Sequence, residues 1–239
     1  MGVRRVSKAG KIRAAVFDFD GTLVDSFTPR KLAHAEVCTY LINYLRTFGH
    51  DPGPERMLLA IQTLEEEMNL QGVYDRDEWW ELLVSFIRAT PVKKQVFQHA
   101  TKLYWDTIAE CTEVYPGMEK TLSELKQQGI ALGIVSDTDG LAGSKRKRIK
   151  TAGLADYFDS VVVAGEDTEK PKPATEPFRK VCADLGAEPA NSIYVCDNPG
   201  TDVPGAQAIG MQTLLVPKKG RKEADPLTEP ITAILESTT

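Results

Sequence analysis

The stretch Ala14-Ala15-Val16-Phe17-Asp18-Phe19-Asp20-Gly21-Thr22-Leu23 decides the fold. It opens as a short apolar run, shows no period-2 alternation, and meets acid at Asp18. A strand that is apolar on both faces belongs inside a parallel sheet covered by helices on each side. Four similar runs follow, at Ile130 to Val135, Val161 to Ala164, Ile193 to Cys196 and Thr213 to Val216. Segments of helical length and pattern separate them. The first spans Gly117 to Gln128, with Pro116 near its start and Gly129 as a stop. The others are Leu141 to Ala152, Thr175 to Leu185 and Val203 to Ile209. Alternating strands and helices imply right-handed βαβ units and an α/β fold with a doubly wound, mostly parallel sheet.

Residues 28 to 112 follow a different rule. Thr28-Pro29 starts a helix with Leu32, Ala35, Cys38, Leu41, Ile42, Leu45 and Phe48 on one face. Pro54 opens a second, carrying Met57, Leu58, Ile61, Leu64 and Met68, and Gly72 closes it. Asp75 or Asp77 caps a third, with Trp79, Trp80, Leu83, Phe86 and Ile87. Pro91 opens a fourth, with Val92, Val96, Ala100, Leu103, Tyr104 and Ile108. Four such helices without a strand signal predict a bundle inserted after the first strand. The expected division is an α/β core of residues 12–26 and 113–239 and a four-helix insertion of residues 27–112. Short connections near Asp25 to Thr28 and Thr112 to Tyr115 join them, and a last short helix is expected near Ile231 to Leu235.

Composition narrows the function. The chain has 239 residues, 42% hydrophobic and 26% charged, which supplies a packed core and argues against disorder. Its 29 Lys+Arg against 34 Asp+Glu leave a net charge of −5, the wrong sign for a general nucleic-acid binder. No apolar run approaches the roughly 18–20 residues of a membrane span. Cys38, Cys111, Cys182 and Cys196 lie far apart, without metal-finger spacing, and read as free thiols in a reducing compartment. Met1 to Ser7 is basic and lacks the apolar stretch of a signal peptide, so the expected location is cytoplasmic.

The chemistry gathers where strands end. The first ends in Asp18-Phe19-Asp20-Gly21-Thr22, the second in Ser136-Asp137-Thr138, and a later one in Asp197, with Asp202 beyond it. Ligands of open α/β sheets bind outside the carboxyl ends of strands, so these groups converge with the loop that carries Lys170 and Lys172. Carboxylates crowded together cannot all stay ionised without a cation. An oxygen-only set favours Mg²⁺ over zinc.

These residues resemble the haloacid dehalogenase (HAD) superfamily. Asp18 to Leu23 is similar to its first motif, Ser136 after Leu132-Gly133-Ile134-Val135 to its second, Lys172-Pro173 to its third, and Asp197 to Asp202 to its fourth. The insertion between the first two motifs resembles the family's helical cap. The resemblance implies Asp18 as the nucleophile that forms an aspartyl-phosphate and Asp20 as the acid and base. It implies Asp18, the Asp20 carbonyl, Asp197 and, through water, Asp202 around Mg²⁺. Ser136 and Lys172 would then hold and neutralise the phosphoryl group, with Gly21, Thr22 and Asp137 on the substrate side, Thr22 orienting Asp20.

The chain departs from the family pattern in two places. Cys196 stands where Gly is usual, which raises the prospect of oxidant sensitivity. Two alignments compete for the lysine. Lys172 keeps the spacing to Phe178, whereas Lys170 restores a Lys-Pro-x-Pro pattern. Asp20 points to phosphatases and phosphomutases, because members that release halide lack this second Asp.

The expected activity is hydrolysis of a small phosphorylated metabolite, with the cap closing to exclude water. A phosphomutase, or an inactive binding module, is the alternative. Neither nucleic acid nor membrane is expected as a partner, and the state is monomer or homodimer. Trp79-Trp80 reads as cap core, while Arg30, Arg76 and the run Lys145-Arg146-Lys147-Arg148 read as solvated surface.

Overall fold

A computed structural model of the chain describes residues 11–87 and 92–216. The expected helix start at Pro91, the basic segment Met1 to Ser7 and the short helix near Ile231 to Leu235 lie outside the described residues. The chain runs through β1 (Ala14–Phe17) and β2 (Val24–Asp25) into α1 (Phe27–Arg46), α2 (Pro54–Gln71), α3 (Arg76–Ile87) and α4 (Lys94–Cys111). It continues through β3 (Glu113–Val114), α5 (Met118–Gln127), β4 (Ala131–Asp137) and α6 (Ser144–Thr151). The remaining elements are β5 (Ser160–Ala164), α7 (Glu176–Asp184), β6 (Ser192–Cys196), α8 (Asp202–Ala208) and β7 (Gln212–Leu215).

Two compact units result. Residues 11–25, 113–137 and 149–216 form an α/β unit, and residues 26–87, 92–112 and 138–148 form a helical one. The sequence reading kept 138–148 with the α/β core. Gly140 shows locally why this segment joins the helices: a Cβ there would stand 1.9 Å from the Tyr74 carbonyl oxygen, so only glycine allows the approach.

In the α/β unit all five strands of the main sheet are parallel, in the order β5-β4-β1-β6-β7. β1 is central and wholly buried, as its unbroken apolar run requires. Its side chains alternate between two cores. Ala15 and Phe17 join Met118, Leu122 and Leu125 of α5, whereas Val16 joins Phe178 and Val181 of α7 and Ala206 of α8. Helices therefore cover both faces, as a doubly wound sheet demands. Each fully buried aliphatic or aromatic side chain here contributes about 1.5–3 kcal/mol. Sequence reading missed one feature: β2 and β3, read as plain connections, pair antiparallel as Val24↔Val114 and Asp25↔Glu113.

In the helical unit α1 packs on α2 and α4, and α3 on α4. Pro54 starts α2 and Gly72, in the left-handed region, ends it. Asp75 Oδ1 accepts the Asp77 N–H at the start of α3. Trp79 and Trp80 are core residues; the indole N–H groups donate to the Val73 carbonyl and to Thr101 Oγ1.

Three expectations need correction. Leu32, Phe48 and Phe86 are exposed, and Ala33, Val37, Val84 and Phe97 are buried instead. The α1 face is rotated to take in His34, whose partner is the buried Glu65. Arg76 is not solvated, because it serves that same carboxylate. Lys145 and Arg148 are also buried, each against Asp139.

Candidate active site

The sheet changes winding direction at β1, which lies between β4 and β6 with Phe17 opposite both Ile134 and Val195. Asp18, Ser136 and Asp197 follow within one or two residues, so all three emerge at one carboxyl edge, where such sheets bind ligands. The Asp18 N–H donates to the Val195 carbonyl at 2.9 Å, tying the acid to the neighbouring strand. Beyond it the chain turns tightly. The Phe19 carbonyl accepts from Leu23 and Val24, and Gly21 N–H donates to the Val24 carbonyl. Gly21 and Thr22 are buried in this turn, and Asp20 is half-buried.

Asp18, Asp197 and Asp202 are 5%, 6% and 0% exposed. One carboxylate oxygen from each lies within 4.8 Å of the others. The buried Lys172 ammonium stands 2.8 Å from Asp18 Oδ1 and 2.7 Å from Asp202 Oδ1. Burial raises the Asp18 pKa to about 7, with Lys172 opposing the rise and Asp202 adding to it. Burial raises Asp202 likewise. Lys172 is desolvated too, but Asp18 and Asp202 outweigh that and hold it firmly protonated. Two of the three clustered carboxylates thus share one ammonium in a place where water cannot screen them. Oxygen donors and this charge deficit fit a hard divalent cation held by Asp18, Asp197 and Asp202.

The other candidates sit as follows. Ser136 is buried at the end of β4. Asp137 Oδ1 accepts the Lys172 backbone N–H at 2.8 Å, which gives its carboxylate the task of holding the lysine loop. Lys170 is exposed, so of the two lysines it is Lys172 that reaches the carboxylates. The buried Cys196 thiol is pushed up by burial and then by Asp202 and Asp18, which disfavours its thiolate.

Tyr194 went unnoticed in the sequence. Its hydroxyl donates to the Val135 carbonyl at 2.9 Å and lies 3.4 Å from Lys172 Nζ. The signal was available: a tyrosine within Ile193-Tyr194-Val195 is a buried phenol that needs a partner. Glu65 and Arg76 were missed for the same kind of reason, being charged residues at positions the helical pattern turns inward.

The sequence pattern of the family described as haloacid dehalogenase-like hydrolase matches residues 15–216. The chain is 29% identical over 217 residues to a glyceraldehyde 3-phosphate phosphatase of Methanopyrus kandleri, covering 90% of this chain and 88% of that one. It is 31% identical over 220 residues to a phosphoglycolate phosphatase of Salmonella typhi, covering 86% and 81%. The crystal structure of a HAD phosphatase from Thermococcus onnurineus aligns with a TM-score of 0.69 at 25% identity, over 93% of this chain and 98% of that one.

Proposed function

The chain belongs to the haloacid dehalogenase-like hydrolase family as a phosphoric monoester hydrolase, and from that premise we propose that it hydrolyses a small phosphorylated metabolite with Mg²⁺, through an aspartyl-phosphate on Asp18. The observation that carries this reading is the buried cluster of Asp18, Asp197 and Asp202, with the Lys172 ammonium against Asp18 and Asp202.

The chain's own residues have the following tasks. Asp18 attacks phosphorus through a carboxylate oxygen, and the bond to the leaving oxygen breaks. Asp20, half-buried and outside the carboxylate cluster, gives that oxygen its proton. Asp20 then takes a proton from water, the water oxygen attacks phosphorus, and the bond to Asp18 breaks to release inorganic phosphate. Ser136 and the backbone amides after Asp18 and Ser136 hold the phosphoryl oxygens. Lys172, fixed by Asp137, Asp18 and Asp202, spreads positive charge over them. Asp18, Asp197 and the Asp20 carbonyl, with Asp202 through water, would hold Mg²⁺, which when bound would supply further charge neutralisation. Glyceraldehyde 3-phosphate and phosphoglycolate, named for the relatives, are the first substrates to try. Among the described residues no helix is long and apolar enough to cross a membrane, and all four cysteines are free, which supports action in the cytoplasm.

The test is turnover of para-nitrophenyl phosphate with Mg²⁺, with chelator, and by the Asp18→Asn variant. Activity that disappears with chelator and in the variant supports the reading. Activity that survives Asp18→Asn assigns the nucleophile elsewhere, since an amide cannot form the intermediate.

A further inference from the structure

The helical unit holds a cavity that the phosphoryl chemistry leaves unused. It lies between the start of α2 and the end of α3, measures about 490 Å³ and is lined by seven residues, all within the helical unit. Six of the seven are apolar. Met57 and Leu83 are the buried part of the lining. Ala60 brings only a methyl group to the wall of α2, and Phe86 stands at the rim, 82% exposed. A space of this size and character falls within the range of pockets that enclose a small organic molecule. Covering its apolar lining removes it from water, which is favourable without any directed contact.

The seventh lining residue is Arg56, exposed and without a carboxylate partner among the described residues. Its surroundings explain this. The positions three and four further along α2 are Leu59 and Ala60, so its own helix supplies no acid at pairing distance. Glu55 precedes it directly, and adjacent positions of a helix do not face each other. Asp51, across Pro52, is already held by Arg46 Nη2 at 3.0 Å and by the Gly53 N–H at 3.1 Å. One cation beside an apolar hollow is complementary to one kind of molecule, an apolar body that carries a single anionic end. A guanidinium suits that end, because its fork of donors matches the two oxygens of a carboxylate.

We propose that this cavity binds an amphipathic carboxylate, its apolar body between α2 and α3 and its carboxylate on Arg56. The apolar body supplies most of the affinity, since an exposed ion pair contributes little by itself, and the head group fixes the orientation. The site lies beyond the phosphatase reading: its ligand has no phosphoryl group to transfer, and none of the lining residues has a task in that reaction.

The test is isothermal titration of the full chain with decanoate below its micelle concentration, with octanoate, and with 1-octanol as the neutral control. Decanoate should saturate at one molecule per chain. Octanoate should bind roughly tenfold more weakly, since each buried methylene contributes about fourfold. Arg56→Gln should weaken both carboxylates about threefold or more and leave 1-octanol unchanged. Ala60→Trp, which fills the cavity, should abolish binding of all three. Lys172→Ala removes the cation of the phosphoryl site and should leave decanoate binding unchanged, so failure of that reading and failure of this one are told apart. The proposal is overturned if decanoate gives no saturable heat, or if Arg56→Gln and Ala60→Trp, both folded by circular dichroism, bind it as wild type does. It is equally overturned if Arg56→Gln weakens 1-octanol as much as the carboxylates. A chain that binds no decanoate but dimerises in sedimentation, and becomes monomeric with Phe86→Glu, would assign the cavity to a second copy instead.

Discussion

Lys172 Nζ stands 2.8 Å from Asp18 Oδ1, although 154 positions separate the two residues in the chain. The doubly wound sheet makes the meeting possible, and Asp137 secures it through the Lys172 backbone N–H. Lys172→Ala is therefore expected to lower kcat on para-nitrophenyl phosphate by roughly a hundredfold or more, the range for removing one preorganised charge donor. Lys170→Ala, at an exposed position, should stay within about twofold. Steady-state kinetics on the two variants decide it, and equal losses would remove Lys172 from the site.

Tyr194→Phe tests how the lysine is positioned. The change takes the donor from the Val135 carbonyl and the 3.4 Å neighbour from Lys172. A buried carbonyl left without its donor costs about 1–3 kcal/mol. Thermal unfolding should show that loss, and kcat should fall by up to about tenfold with KM unchanged. An unaltered kcat would restrict the tyrosine to serving Val135.

Glu65 makes the fold sensitive to acid. Burial alone would raise its pKa, but the His34 hydrogen bond and the charges of Arg76 and Arg30 hold it well below its ordinary value of 4.5. The carboxylate thus favours the folded state above pH 4.5, where the unfolded chain is ionised as well. That stabilisation is lost as pH falls below 4.5 toward the folded value, because the unfolded state takes up the proton first. Melting temperatures between pH 7 and 3 should fall less steeply for Glu65→Gln than for wild type. Parallel curves would show that other groups govern acid unfolding.

Gly205→Ala should destabilise the protein despite the helix propensity it gains. Alanine contributes about 0.5–1 kcal/mol in a helix interior. Its Cβ, however, would lie 2.7 Å from the Pro173 carbonyl oxygen and 2.4 Å from Phe178 Cε2. Backbone oxygen does not yield, so an overpacking cost of about 1–3 kcal/mol wins. At roughly 2–4 °C per kcal/mol for a chain of this size, calorimetry resolves the drop. A raised melting temperature would mean that α8 slides freely.

The α/β half was legible because its strands are buried on both faces and announce themselves as unbroken apolar runs such as Ala14–Phe17. Asp18, Asp197 and Lys172 were legible for a related reason, since the ends of such strands must converge. The helical half was harder. Its periodicity located four helices but not their phase, and Leu32 and Phe86 turned out exposed. A charged side chain at an inward position overrides hydrophobic spacing, and nothing local in the chain tells Glu65 that Arg76 and His34 await it. Sequence also weighted Lys145 and Arg148 as solvent-facing, because their partner Asp139 lies in a loop whose path only the fold reveals.

The pairing of Val24 with Val114 and Asp25 with Glu113 brings the two ends of the long insertion side by side. Residues 26–112 therefore leave and rejoin the α/β unit at a single seam, and the described residues among them add no strand to the main sheet. Lengthening, shortening or exchanging that segment shifts no register among the five parallel strands. The insertion is a cassette, and residues 138–148 are a part of the chain outside it that must change with it, because they pack in the same unit.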